Sequence, residues 1–156
     1  MEYLSYEDLH AIIMKFISTE LVRQNTQVVL IPSARDINHI YPLPQPAYPE
    51  VSDKIHRLGN PQTFKINDIT VSALNAEIVK ELCLSTVVKD VKDAKIDVAL
   101  RSIIEQRTYY PVYPNNPSSP IEWTQYKKMM FPHGMTPDIL IVPSDLMLFA
   151  KVTNHC

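Results

Sequence analysis

The chain has 156 residues, 46% of them hydrophobic, with a formal net charge of −2, which suits one domain or a large piece of one and gives no general attraction to nucleic acid. Two glycines against 13 prolines exclude a glycine-rich phosphate cradle and point to loops stiffened by proline. Two cysteines, Cys83 and Cys156, make no disulfide framework and fit a reducing compartment. No basic segment leads into an apolar core at the N-terminus, and no apolar run reaches membrane length, so a soluble intracellular chain is expected.

Ser5 is placed to cap a helix, with Glu7 and Asp8 in its first turn. Leu9, Ile12, Ile13, Phe16, Ile17 and Leu21 recur at intervals of three and four, one apolar stripe ending near Gln24-Asn25. Gln27–Ile31 reads as a short buried strand closed by Pro32, which supplies no N–H to a ladder. The chain then turns through Ser33-Ala34-Arg35-Asp36, at a strand's carboxyl end, where sites in α/β folds often lie. Residues 32–61 form a long proline-rich loop, which either presents an interaction surface or lies back on its own domain. Tyr41 and Tyr48 are candidate anchors for it, and a helical turn is expected around Ser52–His56.

Thr63–Ala73 reads as a hairpin with Asn67-Asp68 at the turn. Asn75 is expected to cap a helix through Ile78, Val79 and Leu82, and the charged stretch Ser85–Asp93 to be a linker. A helix from Ala94 to about Arg107 carries Ile96, Leu100, Ile103 and Ile104 on one face. Thr108–Pro120 is a second loop rich in proline and tyrosine, whose aromatics suit packing on its own sheet first, partner contact next and base stacking last. Glu122–Met130 is expected to be helical. Asp138–Val142 reads as a second buried strand, sharing one sheet with Val28–Leu30, followed by a short helix and a last strand at Leu148–Val152.

The histidines give no metal-site spacing. His10 falls off the apolar stripe and is expected in solvent. His39 is the only plausible ligand. His56, His133 and His155 fall in loops or at a terminus. Cys83 reads as a small core residue.

Three blocks carry a resemblance, in family order: Val28-Val29-Leu30-Ile31-Pro32-Ser33-Ala34-Arg35-Asp36 with Tyr41-Pro42-Leu43-Pro44-Gln45-Pro46, then Gln106-Arg107-Thr108-Tyr109-Tyr110-Pro111-Val112-Tyr113-Pro114, then Thr136-Pro137-Asp138-Ile139-Leu140-Ile141-Val142-Pro143-Ser144-Asp145-Leu146. Together they resemble the B subunits of DNA polymerase alpha–primase. The resemblance implies an α/β fold, part of a calcineurin-like phosphoesterase sandwich, with residues 1–156 as its carboxyl-terminal part cut short at both ends. Active phosphoesterases hold two metals on Asp, Asn and His at strand ends. Here the Asn ligand position would be Ala34 and the catalytic His position Arg35, a permanent cation. The later Gly-His-x-His loop would be Pro143-Ser144-Asp145-Leu146, with neither histidine present. The resemblance therefore implies a vestigial site at Ser33, Ala34, Arg35, Asp36, His39, Pro143, Ser144 and Asp145, with no catalytic residue, metal or cofactor. For Asp36 the alternatives to a ligand are pairing with Arg35 or capping the next turn.

The implied protein is a nuclear, non-catalytic accessory subunit in DNA replication. It would hold the carboxyl-terminal domain of the polymerase alpha catalytic subunit and connect it to primase, touching DNA only indirectly and no membrane. An active metallophosphoesterase with an atypical site and a generic α/β interaction domain are the other two readings. A sheet cut from a larger domain is expected to self-associate through its open edges.

Overall fold

The computed structural model describes residues 4–24, 26–49, 55–87 and 94–147, without the side chains of residues 21–23 and 94. Helix α1 spans Tyr6–Gln24, strand β1 Val28–Leu30 and strand β2 Ile55–Arg57. Strands β3, Gln62–Ile66, and β4, Ile69–Ala73, precede helices α2, Ile78–Ser85, and α3, Ala94–Glu105. A 3-10 helix at Trp123–Met129 and strand β5, Ile139–Ile141, complete an α/β arrangement.

Ser5 caps α1 reciprocally: its Oγ accepts from Asp8 N–H at 3.1 Å, and Asp8 Oδ2 accepts from Ser5 N–H at 3.0 Å. The hairpin forms as its pattern predicts, with Thr63 opposite Ser72 and Ile66 opposite Ile69. Asn67 takes the left-handed conformation (φ 53°) that its short amide side chain tolerates. Helix α3 ends in a Schellman arrangement: Thr108 N–H reaches Ile103 O, Arg107 N–H reaches Ile104 O, and Arg107 sits at φ 52°. Arg107 accepts that strained position while its guanidinium donates to the Pro132 and Met135 carbonyls at 3.0 and 2.8 Å.

The core joins α2, α3 and the tyrosine-rich loop. Leu74, Ile78, Ile103, Tyr109, Tyr110 and Met129 are all fully buried. Thus Tyr109 and Tyr110 do pack on their own domain, while Tyr113 stays exposed. The proline-rich loop also lies back on the domain. Leu43 is in the core and exchanges backbone hydrogen bonds with Pro120 and Glu122, and Tyr48 is buried. Tyr41 remains exposed and is no anchor.

Several expectations are corrected. β1 and β5 do not share a sheet: β1 pairs parallel with β2, and β5 pairs parallel with β4 in a second sheet ordered β3-β4-β5. Neither is an interior strand. Val29 is 38% exposed, and Ile139 and Ile141 are exposed, because β5 pairs with β4 alone among the described strands. The central strand is β4, whose residues Thr70 to Ala73 are buried in succession. Ile55–Arg57 is strand rather than helical turn, with residues 52–54 outside the described part.

Asn75 does not cap α2. Glu77 stands at the cap position without a side-chain cap, and Asn75 is held by Asn60 instead. Residues 123–129 wind as 3-10 rather than α, with Glu122 accepting from Thr124 N–H at 3.1 Å. No helix follows β5 through Met147, and the expected strand at 148–152 lies outside the described residues, as does most of the 85–93 linker.

The apolar stripe of α1 is mainly uncovered. Ile12 is 52% and Phe16 66% exposed, Leu9 and Ile13 are exposed too, and Met14 is the residue that packs inward. His10 is half-buried rather than solvated, its ring 5.5 Å from that of Tyr48. Among the described residues no helix is long and apolar enough to cross a membrane.

Candidate functional site

Two strand-end loops and the start of α2 converge on a small cleft of about 240 Å³. The first loop leaves β1 through the buried Pro32 and makes a turn in which Asp36 N–H reaches Ser33 O at 3.1 Å. Ser33 Oγ accepts from Arg35 N–H, and Ala34 N–H is held by Asn75 O. These bonds aim Arg35 across the cleft. The second loop leaves β5 at Pro143 and is fastened to Glu77, whose carboxylate accepts from Asp145 N–H at 2.9 Å and from Ser144 Oγ at 3.2 Å.

Arg35 closes the cleft. Its guanidinium grips Asp145 through two bonds, Nη1 to Oδ1 at 3.4 Å and Nη2 to Oδ2 at 3.1 Å, and lies 3.4 Å from Glu77. Lys80 Nζ is 4.0 Å from the same Asp145 oxygen. The hydrogen bond to Arg35 and its charge hold the Asp145 carboxyl below the usual range. Arg35 and Asp145 are solvent-exposed, so the pair fixes orientation more than it stabilises.

Beneath this pair lies Glu81, a buried carboxylate on α2. Tyr110 Oη and Ser119 Oγ both donate to it, the latter at 2.6 Å, and Asn116 N–H donates to Tyr110 Oη. Burial first, then the bond to Glu81, pushes the Tyr110 hydroxyl up to about 12. Sequence reasoning misses Glu77 and Glu81. A signal is present for both: Glu81 interrupts the apolar run Ile78, Val79, Leu82, and Glu77 stands one turn before it.

The structure brings Ser33, Ala34, Arg35, Pro143, Ser144 and Asp145 together around one cleft. It turns Asp36 and His39 away. Asp36 accepts from Asn38 N–H at 2.8 Å and from the Tyr48 hydroxyl, so it caps the next turn and does not pair with Arg35. Burial alone would raise its pKa, but the bonds from Tyr48 and Asn38 and the nearby His10 and His39 outweigh it, and the value falls. His39 is buried against Tyr41 and Tyr48 with Nε2 2.7 Å from Pro46 O, a packing residue rather than a ligand.

Ala34 offers no lone pair, and a permanent cation spans the cleft and already engages Asp145 and Glu77. Among the described residues no group of three or more His, Cys, Asp or Glu is arranged to hold a metal ion.

Residues 3–151 match the model of a family described as the DNA polymerase alpha/epsilon B subunit. The chain belongs to that family. Individual B subunits of DNA polymerase alpha are similar to it along most of its length. The one from Dictyostelium discoideum is 34% identical over 137 residues, covering 85% of this chain and 21% of the relative. Its counterpart from Rattus norvegicus is 26% identical over 163 residues, covering 97% of this chain and 26% of the relative. The one from Saccharomyces cerevisiae is 26% identical over 179 residues, with 86% of this chain and 24% of the relative covered. The chain thus spans about a quarter of the length of these relatives.

Proposed function

We propose that this chain is the carboxyl-terminal part of a degenerate, calcineurin-like phosphoesterase domain in a non-catalytic B subunit of DNA polymerase alpha–primase. Its role is to scaffold: it holds the carboxyl-terminal domain of the polymerase catalytic subunit, helps connect it to primase, and works in the nucleus during replication initiation. Membership of the B-subunit family supports the assignment. The observation that carries the non-catalytic part is the Arg35–Asp145 closure. Where the resemblance implies a metal-ligating Asn and a catalytic His, the chain places Ala34 and a cation tied to carboxylates. A guanidinium there repels divalent metal and cannot take a proton from water at neutral pH.

Two measurements test the reading. Sedimentation of this chain with the recombinant carboxyl-terminal domain of a polymerase alpha catalytic subunit should give an equimolar complex. Two independently sedimenting species would overturn the scaffold role. With manganese and a generic phosphodiester no turnover is expected. Hydrolysis abolished by Asp36→Ala would restore the enzymatic alternative.

A further inference from the structure

A second concavity is an open groove of about 1210 Å³ that shares no lining residue with the Arg35–Asp145 cleft. Pro42, Pro44 and Pro46 of the proline-rich loop line it, and Met130, Phe131 and Pro132 contribute further apolar lining. Prolines and the buried rings of Tyr109 and Phe131 make such a surface stiff, so an incoming chain loses entropy without ordering the groove as well.

The charge of this groove is one-sided. Arg107, Lys127 and Lys128 line it against one carboxylate, Glu122, although the whole chain is net negative. Arg107 is held by uncharged acceptors, two carbonyls and the Thr136 hydroxyl, so its charge is not neutralised. Lys128 bonds the neutral Gln125 amide at 2.8 Å. Glu122 is already engaged by Thr124 N–H and Oγ1. Period-three winding of the 3-10 helix sets Glu122, Gln125 and Lys128 along one side of it, facing the groove.

We propose that this groove is a docking site for an acidic peptide segment of a partner protein, one that carries Asp or Glu beside Leu or Phe. Its apolar side chains lie on the proline and methionine wall, and its carboxylates face Lys127, Lys128 and Arg107. The apolar share of the lining favours such a peptide over a nucleic-acid strand, whose contacts are dominated by phosphate. The proposal is independent of the non-catalytic reading, because it invokes none of the cleft residues.

The test is fluorescence anisotropy on the full chain with three labelled probes: a short peptide alternating Glu with Leu and Phe, the same peptide with Lys for Glu, and oligothymidylate. Saturable binding of the acidic peptide alone is expected. It should weaken about tenfold or more in Lys127→Glu/Lys128→Glu and stay unchanged in Lys15→Glu, on α1. The Lys127→Gln/Lys128→Gln chain, which removes charge without reversing it, should lie between them and serves if the reversed variant loses its native circular dichroism. No saturable binding, equal binding of the Lys peptide, preference for oligothymidylate, or native affinity in the charge-removed chain overturns the proposal.

Discussion

Helices α1 and α3 carry the same spacing of apolar residues and meet opposite fates. In α3, Ala99 and Ile103 are fully buried, and Leu100 and Ile104 pack against the same core. In α1, four of the stripe's five described side chains are exposed, and among the described residues the helix meets the rest of the chain through Met14, His10 and a bond from Asn38 to Tyr6 O. The difference teaches that periodicity specifies which face of a helix is apolar, not what covers it. Helical propensity and the Ser5–Asp8 cap act locally in α1, whereas α3 is held by long-range packing against α2 and the tyrosine loop.

Equal truncations should break the symmetry of the pattern. Ile103→Ala leaves a cavity in the core and should cost about 2–5 kcal/mol in urea denaturation, while Ile12→Ala should stay within about 0.5 kcal/mol. Equal losses would mean that α1 is as well packed as α3, against the exposures of Ile12 and Phe16. Next in size is Tyr110→Phe, which deprives buried Glu81 of one of its two donors and should cost about 1–3 kcal/mol. The same variant tests the alkaline side. Because the Tyr110 value is raised in the folded chain to about 12, its contribution is complete below the unfolded tyrosine value of about 10 and is lost as pH rises through the folded one. Melting temperature against pH should therefore fall less steeply above about pH 10 in Tyr110→Phe than in the native chain.

Tyr48→Phe removes a bond that braces the proline-rich loop internally and should cost about 1 kcal/mol. Asp36, lowered in the folded chain, contributes above its unfolded value of about 3.9, and that contribution is lost as pH falls through the lower folded value. Removing the Tyr48 bond should shrink this acid-side loss. A small effect is assigned to the most conspicuous contact: a double-mutant cycle on Arg35 and Asp145 should give little coupling, falling further with added salt, because both groups are solvent-exposed. A larger, salt-insensitive coupling would make the cleft a structural keystone.

Local signals are legible in the sequence alone. Asn67-Asp68 announces its hairpin, Ser5 its cap, and Ile103 its buried face. The two Pro-Ser loops, far apart in the chain, do meet: the structure sets Ser33 to Arg35 beside Pro143 to Asp145. Strand pairing is not legible. Three-residue strands such as β1 and β5 carry too few side chains to encode a partner, and both read as buried only because both are apolar. The surroundings of Asp36, which caps the next turn as one of its readings had it, and of His39 are not legible for a related reason. Their role is set by Tyr48, twelve and nine residues further along the chain, and no local spacing reports that contact.

Asn60 is fully buried, and its amide donates to Gln45 Oε1 at 2.8 Å and to Asn75 O at 3.1 Å while accepting from Asn75 N–H at 2.8 Å. Its backbone also exchanges two bonds with Gln45. One side chain thereby ties the proline-rich loop to the end of the central strand. Hydrogen–deuterium exchange should reveal the result. The amides of Gln45, Asn60 and Asn75 belong to irregular segments by shape, yet they open only with the hairpin and so exchange at the rate of global unfolding, whereas the amides of α1 exchange through cheaper local fraying.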